Sequence, residues 1–295
     1  MNQTKIVLVT GCSSGIGKSF VKDFGSRRNY KVYASARNLD SIRSLESEGF
    51  EIIQLDVTKL ESIKSAVQSI IEKEGRIDIL INNAGVGNYS PLIELDDEEA
   101  HKIMETNFFG TVNCTNVIAK YMVNQRDGII LNVGSIVGLS PTPFTGMYCA
   151  SKAAIHAWSD TLRMELIPFN IKVVLVIPGS IVSEISNNAK PQLEGLLAQG
   201  SIYGQIKTYL LARTLKINNM PSDVFVKYTL DKTLVDNPPH IFSYGPNAFT
   251  FNVLYYLPKW VSISMFTKNA GLLKLKELVQ QQQQPLVQQG SAQSN

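Results

Sequence analysis

Three side chains that together can donate a proton to a carbonyl oxygen occur close together in the middle of the chain. Tyr148 and Lys152 are four positions apart, so on a helix they project from one face, and Ser135 comes thirteen positions before Tyr148. A phenol titrates at about 10 in water, and a neighbouring ammonium group lowers that pKa. The set predicts that Ser135 hydrogen-bonds a substrate oxygen, Lys152 lowers the pKa of Tyr148, and Tyr148 supplies the proton.

The Tyr-x-x-x-Lys spacing is weak evidence alone, because the chain contains it four times. Only Tyr148 follows a serine at the end of a predicted buried strand, on the sheet edge where α/β proteins bind ligands. Context therefore favours this pair over the three others, which are Tyr203/Lys207, Tyr228/Lys232 and Tyr255/Lys259.

A glycine-rich turn joins the first predicted strand to the first predicted helix. Glycines at such a turn let the backbone approach a pyrophosphate and direct a helix N-terminus at it. The spacing differs from the usual G-x-G-x-x-G pattern, and a simple tight turn is the alternative interpretation. The residues of this predicted phosphate loop are Thr10, Gly11, Ser13, Ser14, Gly15, Ile16 and Gly17.

The end of the second predicted strand indicates which dinucleotide such a loop would bind. No Asp or Glu ends the strand to bind the ribose 2′-hydroxyl of NAD, whereas Arg37 could pair with the 2′-phosphate of NADP. The alternative is that Arg37 is an ordinary exposed arginine and that Asp40 reaches the ribose. Asp56, just beyond the third strand, is either an adenine-pocket carboxylate or an acid in a surface turn. NADPH/NADP is the predicted cofactor.

The elements that must position these residues alternate along the chain. Short β-branched runs separated by longer amphipathic ones predict an α/β fold, a Rossmann-like doubly wound sheet of seven parallel strands flanked by helices. Two predicted helices are long: Asp97–Val123, opened by a capping box of Asp96 and Glu99, and Met147–Leu166, which stops before Pro168. The predicted strands are Lys5–Thr10, Lys31–Ser35, Glu51–Leu55, Ile77–Ile81, Gly128–Val133, Ile171–Ile177 and His240–Ser243.

Composition excludes several other classes of protein. The chain has 295 residues, of which 44% are apolar and 18% charged, enough to bury a sizeable core. Its formal net charge of +3 is too small for a nucleic-acid-binding surface, and its three histidines share no metal-ligand spacing, so neither nucleic acid nor metal is predicted. No secretory signal is visible at the N-terminus. The cysteines are odd in number and far apart in the sequence, which argues against a disulfide framework and favours a reducing compartment; they are Cys12, Cys114 and Cys149.

At these motifs the sequence resembles the short-chain dehydrogenase/reductase family, from about Lys5 to Ser243. The glycine loop matches the family's T-G-x-x-x-G-x-G pattern, and the fourth strand ends in its N-N-A-G motif, Asn82 to Gly85. The resemblance implies four catalytic residues, namely Asn107, Ser135, Tyr148 and Lys152. Asn107 would help to hold a proton-relay water beneath Lys152, and Lys152 would also hold the nicotinamide ribose. Beyond the phosphate loop, the implied cofactor-binding residues are Arg37, Asp56, Val57, Asn83, Ala84, Gly85, Tyr148, Lys152, Pro178, Gly179, Ile181 and Ser183, the last in place of the family's threonine.

Within the family, the segment from Tyr148 to Ile171 is most similar to fungal NADPH-dependent reductases of 1-acyldihydroxyacetone phosphate. This implies a small-molecule lipid substrate whose ketone is reduced to give 1-acylglycerol 3-phosphate; a steroid 17β-hydroxy or retinol dehydrogenase activity is the alternative. Residues 180–237 are predicted to form a substrate lid. Basic residues of the lid could bind a substrate phosphate or be ordinary surface charges; they are Lys190, Lys207, Arg213 and Lys216.

The domain predicted over residues 1–247 is followed by an aromatic segment, 248–279. Its aromatic residues and following lysines suit a peripheral membrane anchor at the cytoplasmic face of the endoplasmic reticulum or lipid droplets. They could equally cap the substrate cavity or fill a homo-oligomer interface in a cytosolic protein. The glutamine-rich residues 280–295 are predicted to be a disordered tail.

Overall fold

The computed structural model of the protein describes residues 3–185, 194–195, 200–209 and 219–291, with side chains as far as residue 282. Three of the basic residues predicted to line the lid, Lys190, Arg213 and Lys216, lie outside the described residues. The fourth, Lys207, is exposed.

The core of the fold is a seven-stranded sheet in which every pairing is parallel, with the order β3-β2-β1-β4-β5-β6-β7. This confirms the predicted fold class. The chain moves outward from β1 to β2 and β3, then returns to the other side of β1 for β4. Ligands of such sheets bind where the strand order reverses, at the carboxyl ends of the strands. The strands are β1 Lys5–Val9, β2 Tyr30–Ala36, β3 Glu51–Gln54, β4 Ile79–Asn82, β5 Gly128–Val133, β6 Ile171–Pro178 and β7 Ile241–Tyr244.

Helices cover both faces of the sheet, because the central strands are apolar on both sides. One face packs against α1 (Gly15–Ser26) and α8 (Ser222–Thr233), and the other against α3 (Leu60–Glu74), α5 (Gly110–Gln125) and α7 (Gly146–Leu166). The shorter helices are α2 Arg43–Ser47, α4 Asp97–Met104 and α6 Ile136–Leu139.

The helix predicted over Asp97–Val123 is interrupted. Between α4 and α5 the chain forms one π-helical turn, Glu105–Phe109, which encloses Asn107. The predicted capping box is only half formed: Asp96 Oδ1 accepts from the Glu98 backbone N–H at 2.8 Å, whereas the Glu99 carboxylate pairs with Lys102. The helix therefore begins where the sequence indicates, but a π turn, which often occurs at functional sites, divides it.

The C-terminal part of the chain consists of three helices. They are α9 Ala248–Tyr256, α10 Lys259–Asn269 and α11 Leu272–Ser291. The disordered tail predicted for residues 280–295 stays a prediction. In the described part of the chain, no helix is long and apolar enough to cross a membrane.

Candidate active site

Two glycines of the turn after β1, Gly11 and Gly17, are packed so closely that a side chain would not fit at either position. A Cβ atom on Gly17 would lie 2.1 Å from the carbonyl oxygen of Gly11 and 2.5 Å from Asn83 Nδ2. Gly11 itself has a φ of +72°, and a Cβ there would lie 2.7 Å from the Cα of Ala84. The turn therefore presents bare backbone and the N-terminus of α1 to the space above the sheet, which is an arrangement suited to a phosphate.

Polar and thiol side chains of the same turn hold it against the sheet. Thr10 Oγ1 donates to Ile81 O at 3.2 Å and accepts from the backbone N–H groups of Asn83 and Ala84 at 3.0 and 3.1 Å. Thr10 is buried, so it supports the turn from behind. Cys12 is fully buried; its thiol donates to Val9 O at 3.2 Å, and burial raises its pKa to about 12.

One cleft of about 420 Å³ runs along the carboxyl ends of the strands, with Arg37 among its lining residues as well as Tyr148. It brings together every predicted site residue except Thr10 and Asn107, which lie behind its wall. The cleft also contains residues that the sequence motifs do not mark: Ala36, Asn38, Ser41, Leu55, Thr58, Val86, Thr106, Val133, Gly134, Glu184 and Ile185. Most are immediate neighbours of motif residues, so extending each motif by one or two positions would have found them.

The structure separates the two acids that could reach the ribose end of a dinucleotide. Asp40 is outside the lining of the cleft, and its carboxylate pairs with Arg43 at 2.8 Å. Asp56 lines the cleft, where its Oδ1 accepts from the Thr58 backbone N–H and hydroxyl at 3.0 and 2.8 Å. Arg37 is exposed and lines the cleft, which favours the interpretation that it, rather than Asp40, meets the ribose.

Ser135, Tyr148 and Lys152 meet where β5 ends beside α7. Ser135 hydrogen-bonds the Tyr148 hydroxyl and is the N-cap of α6. Lys152 is buried; its Nζ donates to Val133 O at 2.8 Å and lies 5.8 Å from the centroid of the Tyr148 ring. The strand end and one helix face thus place a hydroxyl, a phenol and an ammonium group at one point of the cleft.

The predicted lowering of the Tyr148 pKa is wrong for the chain by itself. Removal of the Tyr148 hydroxyl from water raises its pKa, and this effect exceeds the opposing hydrogen bond from Ser135. Burial also lowers the pKa of Lys152 to about 8. At neutral pH Tyr148 therefore keeps its proton, while Lys152 carries its charge in a poorly solvated position.

Asn107 holds the cleft wall through its side chain. Its Oδ1 accepts from the Val86 backbone N–H at 2.8 Å, and its Nδ2 donates to Val86 O and Ser151 Oγ at 2.9 and 3.0 Å. The π turn directs the Asn107 side chain toward Val86, which lines the cleft. The relay water implied for Asn107 stays a prediction.

Comparison with known proteins places this geometry in a family. A family model described as short chain dehydrogenase matches residues 5–194. The chain belongs to the short-chain dehydrogenase/reductase family. It is therefore an oxidoreductase that acts on CH–OH or C=O groups.

Several members of the short-chain dehydrogenase/reductase family are similar over most of their length. A protein of Schizosaccharomyces pombe named NADPH-dependent 1-acyldihydroxyacetone phosphate reductase is 33% identical over 77% of this chain and 75% of its own. A 3-ketodihydrosphingosine reductase of Bacteroides thetaiotaomicron is 40% identical over 63% of this chain and 67% of its own. The crystal structure of a short-chain dehydrogenase from Streptomyces avermitilis shares the fold, with a TM-score of 0.72 and 23% sequence identity. The match covers 90% of this chain and 99% of the Streptomyces chain.

The buried charge of Lys152 predicts a pH-dependent stability difference. In the folded protein the pKa of Lys152 is about 8, below its ordinary value of 10.5. Burying the charged form therefore destabilises the fold by its full amount below pH 8, and this cost disappears once the pH exceeds 10.5. Lys152→Met should raise the free energy of unfolding at pH 7 by up to about 3 kcal/mol, and this gain should shrink as the pH rises from 8 to 10.5. Urea unfolding of the parent and of Lys152→Met, both without cofactor, measures this difference in the free energy of unfolding. A difference that does not change with pH would contradict the lowered pKa of Lys152.

Proposed function

We propose that the protein reduces the ketone of a lipid with NADPH, and that its substrate is 1-acyldihydroxyacetone phosphate, which becomes 1-acylglycerol 3-phosphate. The observation that carries the proposal is that Arg37, the glycine turn and the Ser135–Tyr148–Lys152 group line one shared cleft. The fungal relative supports both the lipid substrate and NADPH. The bacterial relative, which is named for a ketone of another lipid, supports the general class.

The cleft fits NADP(H) on its own geometry. The turn at Gly11 and Gly17 leaves no space for a Cβ atom, which suits backbone N–H groups facing a pyrophosphate. Arg37 supplies a positive charge beside Asn38 and Ser41, where an additional phosphate on the ribose would need a partner. Asn83, Ala84, Gly85, Pro178, Gly179, Ile181 and Ser183 form the remaining wall toward Tyr148.

The side chains of the site then do the proton chemistry. When bound in the cleft, NADPH would supply a hydride to the carbonyl carbon. Ser135 hydrogen-bonds the carbonyl oxygen, and Tyr148, whose raised pKa keeps it protonated, donates its proton to that oxygen as negative charge develops. Lys152, charged below its pKa of about 8, stabilises the phenolate that remains. A protonated Tyr148 suits the direction of carbonyl reduction, because the carbonyl oxygen must receive a proton in that direction.

Reversing the charge at Arg37 should reverse the cofactor preference. In Arg37→Asp, the carboxylate would repel a 2′-phosphate and could accept from a 2′-hydroxyl, so the Kd for NADPH should rise by about a hundredfold relative to that for NADH. Fluorescence titration with both cofactors measures this ratio. Arg43→Asp is the control, because Arg43 is exposed, lies outside the cleft and pairs with Asp40. Equal weakening of both cofactors by Arg37→Asp would contradict contact with the 2′-phosphate.

A substrate panel separates the proposed activity from its rivals. NADPH oxidation is followed by absorbance with palmitoyl-dihydroxyacetone phosphate, 3-ketodihydrosphingosine, a 17-ketosteroid and all-trans-retinal. Turnover of the first compound is the expected result. Turnover of only one of the other three compounds would support reduction of a lipid ketone or another hydrophobic carbonyl compound, and would reject the phosphorylated substrate. Turnover of none of the four would reject the proposal.

The outer surface of α9 and α10, which we call the aromatic surface, supports peripheral membrane binding. Phe251 and Phe266 pack inward with their ring centroids 5.4 Å apart, whereas Phe249, Tyr256 and Trp260 are exposed. The sequence from residue 237 to 276 contains no Asp or Glu, and its lysines favour an anionic surface: Lys259, Lys268, Lys274 and Lys276. The aromatic residues thus divide, some filling the core and others facing outward. We propose the cytoplasmic face of the endoplasmic reticulum or lipid droplets as the location.

Replacing one outward aromatic residue tests this surface. Trp260→Ser should reduce cosedimentation with vesicles of equal phosphatidylcholine and phosphatidylserine by about tenfold, because interfacial binding scales with the apolar area inserted. Ile93→Ser is the matched control, since Ile93 is 73% exposed and Trp260 71% exposed, and Ile93 belongs to neither α9 nor α10. Equal cosedimentation of Trp260→Ser and the parent protein would reject the aromatic surface. A homo-oligomer stays a prediction that native mass spectrometry measures.

A further inference from the structure

A histidine that the proposed mechanism does not use lies directly behind the reacting serine. His156 is on α7, one turn after Lys152 and two turns after Tyr148, and only 9% of its surface is exposed. Its Nε2 accepts a hydrogen bond from the backbone N–H of Ser135 at 3.3 Å. The imidazole therefore contacts the main chain of Ser135, while the Ser135 side chain bonds Tyr148.

Two glycines on either side of Ser135 make room for this ring. A Cβ atom on Gly134 would lie 2.5 Å from His156 Nε2, and one on Gly138 would lie 2.7 Å from its Cε1. Any side chain at either position would push the imidazole away from the N–H of Ser135. The local sequence Gly134-Ser135-Ile136-Val137-Gly138 thus fits a histidine at position 156.

The ring can accept this hydrogen bond only as a neutral imidazole with its proton on Nδ1. Burial and the positive charge of Lys152 both lower the pKa of His156 to about 4, against a weaker opposite effect of Asp160. Across the neutral pH range, Nε2 is consequently available as an acceptor.

Two successive turns of α7 hold the end of β5 together. Lys152 donates to Val133 O, and His156 accepts from Ser135 N–H two residues further along. The strand ends at Val133. The last hydrogen bond to β6 is made by the Gly134 backbone N–H, which donates to Val176 O at 2.8 Å. The Ser135 N–H lies one residue beyond the sheet's hydrogen bonding and donates to His156 instead.

We propose that His156 is a positioning residue that orients Ser135 toward the Tyr148 hydroxyl and the substrate oxygen. The inference rests on the roles proposed above for Ser135 and Tyr148. It adds a third residue of α7 to the site, one that touches neither cofactor nor substrate and acts through the main chain of Ser135.

A pair of substitutions separates positioning from packing. The side-chain carbonyl of Gln reaches about as far from the backbone as Nε2 and can accept the same hydrogen bond, whereas Leu fills the slot without an acceptor. With NADPH and palmitoyl-dihydroxyacetone phosphate, His156→Leu should lower kcat by about tenfold, and His156→Gln should stay within about threefold of the parent. Both should leave the Kd for NADPH unchanged. Equal loss in both variants, or a change confined to KM, would overturn the proposal.

Combination with Ser135→Ala shows whether His156 acts through Ser135. In Ser135→Ala there is no Ser135 hydroxyl left for His156 to orient. Adding His156→Leu to Ser135→Ala should therefore lower kcat by less than about twofold. A further tenfold loss would instead assign His156 to packing. Undiminished turnover by Ser135→Ala alone would contradict the proposed role of Ser135.

Nitrogen-15 NMR of the wild-type protein tests the contact without any substrate or variant. Protein labelled at the histidine ring nitrogens should show His156 as the Nδ1–H tautomer from pH 6 to 8, with the chemical shift of Nε2 typical of an acceptor. The Nε2–H tautomer would overturn the inference even if the protein proved to reduce the expected lipid.

Discussion

Replacing Tyr148 by phenylalanine is expected to lower kcat by about a thousandfold, the typical contribution of a positioned general acid. The phenyl ring would keep its packing, and only the hydroxyl that hydrogen-bonds Ser135 would be lost. Stopped-flow or steady-state NADPH oxidation measures the rate, and fluorescence titration should show the Kd for NADPH unchanged within about threefold.

A second tyrosine provides a matched control for this substitution. Tyr228 and Lys232 have the same spacing in the sequence, and Lys232 Nζ lies 5.8 Å from the Tyr228 ring, the same distance as in the Tyr148–Lys152 pair. Tyr228 stacks on Tyr244 with a centroid distance of 3.7 Å and does not line the cleft. Tyr228→Phe should retain full turnover. Turnover by Tyr148→Phe at the rate of this control would reject Tyr148 as the proton donor.

Substituting Gly17 by alanine should raise the Kd for NADPH by at least about a hundredfold. The new methyl group would lie 2.1 Å from Gly11 O, a backbone atom that can move away only if the whole turn moves. Displacing the turn would remove the backbone N–H groups from the pyrophosphate position, at about 1.5–3 kcal/mol for each charge-assisted hydrogen bond lost. Isothermal titration with NADPH measures the change.

The control for Gly17→Ala is Gly204→Ala, because a Cβ atom there meets nothing within 4 Å. Gly204 begins a short 3₁₀ turn, Gly204–Ile206, outside the cleft. Its alanine variant should bind NADPH as the parent does. A folded Gly17→Ala protein with unchanged affinity would show that the glycine turn does not hold the pyrophosphate.

The sheet and the glycine turn could be predicted because their signals are local. Continuous apolar runs such as Gly128–Val133 mark buried parallel strands, and the structure has this strand with the same bounds. The carboxyl ends of parallel strands meet at one edge, so placing Ser135 after one strand and Gly11 after another was enough to bring them to one cleft.

Other features depend on contacts that a linear pattern does not contain. The π turn around Asn107 is accompanied by hydrogen bonds with Val86 and Ser151, which are distant in sequence. The raised pKa of Tyr148 depends on how completely the fold excludes water from its hydroxyl, and charge spacing alone suggested the opposite direction. The contact of His156 with Ser135 depends on how closely α7 packs against the end of β5, and the sequence pattern does not give that distance.

The buried thiol of Cys12 has a consequence for the chemical durability of the cofactor turn. Oxidants and alkylating reagents attack the thiolate, and burial raises the pKa of the Cys12 thiol to about 12, so the thiol keeps its proton at pH 7. The Cys12 sulfur is also fully covered. Cys12 is therefore protected from sulfenylation and glutathionylation although it lies within the predicted phosphate loop, and peroxide treatment should leave its thiol unmodified.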